Sequence, residues 1–448
     1  MSKKYNRILV SNRGDSAVRV IRACKELGIE TVTIYSKADI GSLHTRLADY
    51  AVCIGDSKSS NSYLNSYNIM AIAKEYNVDA IHPGIGFLAE SSDFCELCEA
   101  CNVDFIGPKS SVINKMANKI EAKKFAEKCN VPIVISKSFE YFSDECIEFA
   151  GRIGYPVIIK AAYGGGGKGI RVVNKHSELK SSLESCFKEA KAYFGESNVL
   201  IEKYIKNAKH IEVQIIADKY GNVIYLGDRE CSIQRHNQKL IEEARCSTIS
   251  DTLRSKLYEG AINICKSIQY EGLGTVEYLV DEDDRIYFIE MNTRLQVEHT
   301  ITELITGIDL VKEQIRIAQG EALSYLQENI QFNGYAIETR ILAEYYNGNL
   351  IPDYGEITHF FIPGGLGVRV DVAYESGNVV SLFYDSLLCK ICCHGKSKDE
   401  ALIKMIRCLD ELEIRGVRTN KEFLMKILKD KRFKEGDYNT NFLDEINF

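Results

Sequence analysis

No stretch of this 448-residue chain approaches the continuous apolar length needed to span a bilayer. Its start, "MSKKYNRILVSNRG", holds only a short apolar run before a polar loop. A basic field is also missing: 56 Lys and Arg stand against 63 Asp and Glu, giving a net charge of -7 with the signs interspersed. Such a balance offers no attraction to nucleic acid or to an anionic membrane, and neither is expected as a partner. "KILKDKRFK" reads as the solvated face of a helix, and no internal repeat or low-complexity tail is evident. With 45% hydrophobic and 27% charged residues, the composition is that of a globular protein of two or three domains, expected in the cytoplasm.

Cysteine is abundant, but a disulfide framework is lacking: the 15 cysteines are scattered through helix-like and strand-like patterns, which favours reduced thiols. "CELCEAC" places Cys95, Cys98 and Cys101 at the spacing of an iron-sulfur run, yet Phe105 occupies the fourth ligand position. The same spacing lines one side of an amphipathic helix, and that reading is preferred. The dinucleotide fingerprint is likewise incomplete. "RILVS", "ETVTIYS", "AIHPG" and "DFIGP" alternate with helical segments and predict a parallel, Rossmann-like sheet. However, the first loop, "SNRGDSA", has one glycine where three are required.

One helical stretch, "SVINKMANKIEAKKFAEKC", leads to "VPIV" and then to short strands and helices around a glycine cluster, "YPVIIKAAYGGGGKGIRVV". A P-loop is excluded because Gly169, not Ser or Thr, follows Lys168. Gly164, Gly166 and Gly169 match a kinase-type glycine loop, but no H-R-D or D-F-G follows. Two readings stay open: a hairpin whose backbone N–H groups fold over phosphates, with Lys160 supplying charge, or a hairpin of purely structural use. From "AKHIEVQIIAD" onward strands dominate. "YAIETRILAE", "GEITHFFIP", "GVRVDVAY" and "LLCKICCHG" predict antiparallel pairing, followed by a helix opened by a Ser397–Glu400 capping box.

"GLGTVEYLV" and "IYFIEMN" read as a hairpin joined by the acidic turn "DEDD", which lacks the Gly and terminal Glu of a calcium loop. Period-two alternation puts Glu290 and Asn292 on one side of their strand, with Glu277 able to sit opposite. Two carboxylates that close repel unless a cation intervenes, and magnesium suits an oxygen-rich set. If the chain stays extended, Arg294, Gln296 and Glu298 also point one way. They then offer either a fork for a small oxyanion beside a base, or simply an Arg294–Glu298 salt bridge.

Taken together, "SNRGDSAVRVIRACKELGI", "AIHPGIGFLAES", "GYPVIIKAAYGGGGKGIRVV", "ECSIQRHNQKLIEEA", "FIEMNTRLQVEHTITELITGIDL" and "YDSLLCK" resemble the biotin carboxylase branch of the ATP-grasp enzymes over nearly the whole chain. The resemblance implies an α/β and α+β multidomain fold. Its parts would be a Rossmann-like domain over 1–114, an ATP-grasp domain over 115–330 with a mobile glycine-rich lid near 133–204, and a mixed domain with an antiparallel sheet over 331–448. It also implies ATP-dependent carboxylation of biotin by bicarbonate through carboxyphosphate. By that resemblance Lys119, Lys160, Gly166, Gly167 and His210 contact phosphates, and Glu202, Lys203, Tyr204 and Ile205 hold adenine. Asn237 stands at a ribose or phosphate position, and Glu277, Glu290 and Asn292 carry Mg2+ or Mn2+. Arg294, Lys239 and the Val297 backbone hold bicarbonate, Glu298 is its base, and Arg340 stabilises the biotin enolate.

The sequence departs from the family at His236 and Asn237, where Arg then His are common. Further departures are Ile85 in place of an aromatic and Arg245 in place of a proline. None removes an essential group, so an active enzyme with altered nucleotide or biotin affinity is expected. An A-M-K-M biotinylation motif is absent, and "LMKI" falls in a helical pattern. The resemblance therefore implies a separate biotin carboxyl carrier protein as acceptor, carboxyltransferase subunits as partners and a homodimer, acetyl-CoA carboxylase being the commonest setting. Competing readings are an ATP-grasp ligase for another acceptor, suggested by Ile85 and Asn237, and a non-catalytic nucleotide-binding subunit.

Overall fold

The apolar alternation of the first 110 residues folds into the parallel sheet it predicts. A computed structural model describes residues 3–161, 170–194 and 198–446 of the chain. Among these, Tyr50–Gly55, Glu30–Ser36, Arg7–Val10, Ala80–His82 and Asp104–Phe105 pair in that order, all parallel. The first helix, Gly14–Glu26, ends at Gly28, whose φ of +71° favours a residue without a Cβ. "CELCEAC" lies mostly on the helix Ser92–Ala100, where Cys95 and Cys98 are buried beside Phe94. Burial pushes the Cys95 thiol up to about 12, so it stays protonated and packs as an apolar group.

The single helix expected after residue 110 is two, Ser110–Ala117 and Lys119–Lys128. Asn118 divides them because its side chain accepts from the N–H groups of Ile120 and Glu121, capping the second helix with an extended backbone. Among the described residues, a small antiparallel sheet follows in the order Ser136–Phe139, Val199–Lys203, Val157–Ala161, Ile170–Val173. The helices Asp144–Ile153 and His176–Phe194 pack on it through Phe149, Leu179 and Leu183. The glycine cluster, with Gly166 and Gly167, lies outside the described residues.

The central element, again among the described residues, is an eight-stranded antiparallel sheet. Its order is Ile286–Asn292, Gly272–Val280, Lys209–Ala217, Val223–Arg235, Gln238–Ala244, Tyr335–Leu342, Leu387–Gly395, Val368–Val372. One face is apolar. Ile211, Val213, Val276, Tyr278 and Phe288 pack on the helix Asp251–Ser267, and Ile337, Ile391 and Cys393 pack on Lys398–Glu411. "GEITHFFIP" is not one strand but two short pieces, Gly355–Glu356 and His359–Phe361, paired to different partners. Ser397 caps its helix as expected, although the Glu400 carboxylate accepts from the Lys396 N–H and not from that of Ser397. "LMKI" lies within the helix Lys421–Lys429. Among the described residues no helix is long and apolar enough to cross a membrane.

Candidate active site

The second face of the large sheet carries a band of polar side chains, and two irregularities in strand register bring several of them onto it. In the hairpin, Glu277 pairs with Glu290 but Tyr278 pairs with Phe288, so Ile289 is an extra residue. The bulge sends Phe288 into the apolar core while Glu290 and Asn292 face the other way with Glu277. A second shift pairs Ile233 with Ile241 but Gln234 with Lys239, leaving Leu240 as the extra residue. Lys239 and Glu242, three apart, therefore share the polar face. His210, Glu212 and Gln214 alternate onto it from the strand opposite Glu277.

These side chains form one buried ion network. Lys239 Nζ lies 2.6 Å from Glu212 Oε2, 3.1 Å from Glu277 Oε1 and 2.7 Å from Glu298 Oε1. His210 Nε2 is 2.9 Å from Glu277 Oε2, and Asn292 and Gln296 donate to Glu277 Oε1 at 2.8 and 2.9 Å. Arg229, 0% exposed, pairs with Glu212 and donates to Gln214 and Thr302 at 2.8 Å. Arg340 bridges Glu242 at 2.6 Å and Glu298 at 3.1 Å.

Burial alone would raise the Glu298 carboxyl, but Lys239, Arg340 and Arg229 outweigh it and hold the group well below the usual carboxylate range. Glu277 is likewise held down against burial, by Lys239 and His210. Lys239 is raised well above the ordinary lysine value by its three carboxylates. The site thus presents an ionised carboxylate, Glu298, between fixed cations.

The chain does not stay extended past Asn292. It turns through Leu295–Glu298 into the helix His299–Thr306. Arg294 consequently pairs with Glu90 at 2.9 Å and donates to Asn292 Oδ1 at 2.9 Å, while Glu298 turns to Lys239 and Arg340. The Val297 carbonyl accepts from buried Lys390 at 2.6 Å. Lys160 is 2.9 Å from Glu202, which Lys123 also contacts. Burial opposes ionisation there, yet the two lysines lower Glu202 to about 2. Lys119 approaches Glu290 at 3.8 Å.

In the expected adenine segment, Lys203 Nζ donates to the Gly154 carbonyl at 3.0 Å and Tyr204 Oη to Asn441 at 2.8 Å; Ile205 is half-buried. Asn237 is set apart from the network. It and His236 have φ of +63° and +49° and form the exposed two-residue tip of a hairpin, a position that suits Asn for backbone reasons. Glu212, Arg229, Glu242, Glu90, Lys123 and Lys390 were not anticipated from the sequence. Strict alternation in "KHIEVQIIA" carries the signal for Glu212, since polar residues at 210, 212 and 214 of a core strand share one face.

Family profiles match successive parts of the chain: "Biotin carboxylase, N-terminal domain" over 4–113, "Carbamoyl-phosphate synthase L chain, ATP binding domain" over 118–326, and "Biotin carboxylase C-terminal domain" over 338–445. Biotin carboxylase 1 of Bacillus subtilis is 48% identical, covering 98% of each chain. The chain belongs to the biotin carboxylase family. Biotin carboxylases are ATP-dependent ligases, and this chain is one.

The 2-oxoglutarate carboxylase small subunit of Hydrogenobacter thermophilus is 45% identical over 98% of this chain and 93% of its own. The biotin carboxylase domain dimer of that enzyme, solved with MgADP, ADP and bicarbonate, superposes with a TM-score of 0.96 at 45% identity, covering 99% and 98% of the two chains. The Campylobacter jejuni biotin carboxylase, solved as a β-γ-ATP complex, gives 0.96 at 42% identity and 99% coverage of both. Against the family pattern, Ile85 is half-buried with its carbonyl held by Asn12 at 2.9 Å, and the Arg245 guanidinium lies 5.3 Å from the Phe332 ring centroid.

Proposed function

We propose that the chain carboxylates biotin on a separate carrier protein, using ATP and bicarbonate through carboxyphosphate, as the first half-reaction of acetyl-CoA carboxylase or a related acyl-CoA carboxylase. The observation that carries this reading is the placement of ionised Glu298 between Lys239 and Arg340. Arg294, Lys239 and the Val297 backbone hold bicarbonate, and Glu298 accepts its proton. When the anion enters it competes for Lys239 and Arg340, which relieves their hold on Glu298 and makes it a stronger base. Arg340 then faces the biotin enolate oxygen.

Glu277 opposite Glu290 is the oxygen-donor arrangement that a hard divalent cation neutralises, and the exposed side of Glu290 leaves access. The cluster of His210, Glu212 and Glu277 fits a metal less well, because Glu212 is fully buried and already paired with both Arg229 and Lys239. Glu277, Glu290 and Asn292 would therefore hold Mg2+ or Mn2+, which when bound screens the ATP phosphates. Lys119, Lys160, His210, Gly166 and Gly167 bind those phosphates, and Glu202 to Ile205 hold the adenine. Asn237, at the hairpin tip, contributes only neutral hydrogen bonds.

The domain division at 114 and 330, with a mobile lid near 133–204, belongs to the same proposal, as does a homodimer working with carrier and carboxyltransferase subunits in the cytoplasm. A pyruvate carboxylase component from Methanothermobacter thermautotrophicus is 47% identical over 98% of this chain and 90% of its own, which favours as a second reading a complex whose final acceptor is a 2-oxo acid. ADP release measured with bicarbonate, with and without free biotin or carrier, tests the function. Stimulation by both supports it, and cleavage indifferent to biotin overturns it.

A further inference from the structure

Behind Arg340, Glu242 and Glu338 stand directly opposite one another on neighbouring antiparallel strands, both 0% exposed. Each carboxyl has one oxygen engaged. Glu242 Oε1 accepts from Arg340 Nε at 2.6 Å, while Glu338 Oε2 accepts from the Thr300 hydroxyl and, at 3.3 Å, from the Cys392 thiol. The remaining oxygens, Glu242 Oε2 and Glu338 Oε1, are buried with no hydrogen-bond partner among the described residues. Two adjacent carboxylates, each lacking a donor, repel when both are ionised. One proton on the pair removes the repulsion and supplies the missing donor.

We propose that Glu242 and Glu338 share a single proton across the strand pair, and that this singly charged pair is the positioning device for Arg340. With one negative charge behind it, Arg340 divides its fork between Glu242 and Glu298 and keeps 12% of its side chain exposed. Loss of the proton places a second charge behind the guanidinium, draws it toward the pair and withdraws it from substrate. No proton passes to substrate in this scheme.

The groups facing the pair are Arg340 on the Tyr335–Leu342 strand, Lys239 on the strand of Glu242, Glu298 from the turn above, Thr300 from the following helix, and Lys390 and Cys392 from Leu387–Gly395. Burial raises Glu242 to about 8, with Arg340 opposing and Glu338 reinforcing the rise. Glu338 is also raised by burial, against Lys390 and Arg340. Ionisation therefore falls on the alkaline side of neutrality.

The proposal rests on Arg340 facing biotin, so its test has an arm independent of biotin. Infrared spectra of the full chain and of Glu338→Gln and Glu242→Gln, titrated from neutral to alkaline pH, report the protonated carboxyl directly. The wild type is expected to show a carboxylic-acid band that disappears on the alkaline side and is absent from both variants. In Glu338→Gln the amide donates to Glu242 without ionising, so the alkaline fall in kcat/KM for biotin should vanish. In Glu242→Gln, KM for biotin should rise about tenfold, the size of one charge-assisted hydrogen bond, with bicarbonate-dependent ATP cleavage less affected.

A band that survives in both variants, or an unchanged alkaline limb in Glu338→Gln, overturns the shared proton. Loss of the band with no change in biotin kinetics overturns the positioning of Arg340. A wild type that leaves biotin uncarboxylated defeats the proposed function instead, and the infrared arm still decides the shared proton.

Discussion

Lys239 Nζ lies 2.7 Å from Glu298 Oε1, on the polar face of the central sheet, and Lys239 simultaneously pairs with two other buried carboxylates. The candidate base is therefore ionised and fixed in place.

Replacing Glu298 with Gln keeps the shape of the site and removes the proton acceptor. Carboxylation of biotin should fall by roughly 100-fold or more, the usual scale for loss of a positioned general base. ATP affinity, measured by calorimetry, should stay close to that of the wild type.

Removing Lys239 leaves Glu212, Glu277 and Glu298 buried without their shared cation. Lys239→Met should destabilise the chain by about 3–5 kcal/mol in urea unfolding, as expected for breaking a buried ion pair from one side. Equal stability would show that the carboxylates are compensated elsewhere.

The pairing of Glu277 with Glu290 predicts a specific change in metal dependence. Glu290→Gln should shift the Mg2+ titration of ATP cleavage to at least about tenfold higher concentration, through loss of one charged oxygen ligand. An unmoved titration places the ion elsewhere.

Glu202 is depressed to about 2 by Lys160 and Lys123 acting against burial. A depressed carboxyl stabilises the fold above its unfolded value, about 4.3, and that contribution is lost as pH falls toward its folded value. Thermal unfolding of the wild type should therefore weaken steeply from about pH 5 down to pH 2. In Glu202→Gln this portion of the slope should be missing, and the variant should be less stable at neutral pH because Lys160 and buried Lys123 lose their shared counter-ion.

The parallel amino-terminal sheet and the Glu277–Glu290 hairpin were legible because alternation is local and survives in any strand. The bulges at Ile289 and Leu240 were not: one extra residue in a strand leaves no mark in an apolar pattern, yet each decides which side chains share a face. Alternation also carried Arg294 and Glu298 in one direction, whereas the turn after Asn292 sends them to different partners, Glu90 and Lys239. Glu90 lies 204 residues from Arg294, and Glu242 lies 96 positions before Glu338, separations over which no local pattern speaks. The roles of Glu298, Arg340 and Lys239 came from family resemblance. Their mutual contacts came from the fold.

Transfer of isotopic label from bicarbonate to biotin, compared in the wild type and Glu298→Gln with ATP and Mg2+ held saturating, tests the central claim most directly. The account predicts ATP-dependent labelling of biotin by the wild type and its near loss in the variant. Undiminished labelling in Glu298→Gln would contradict it.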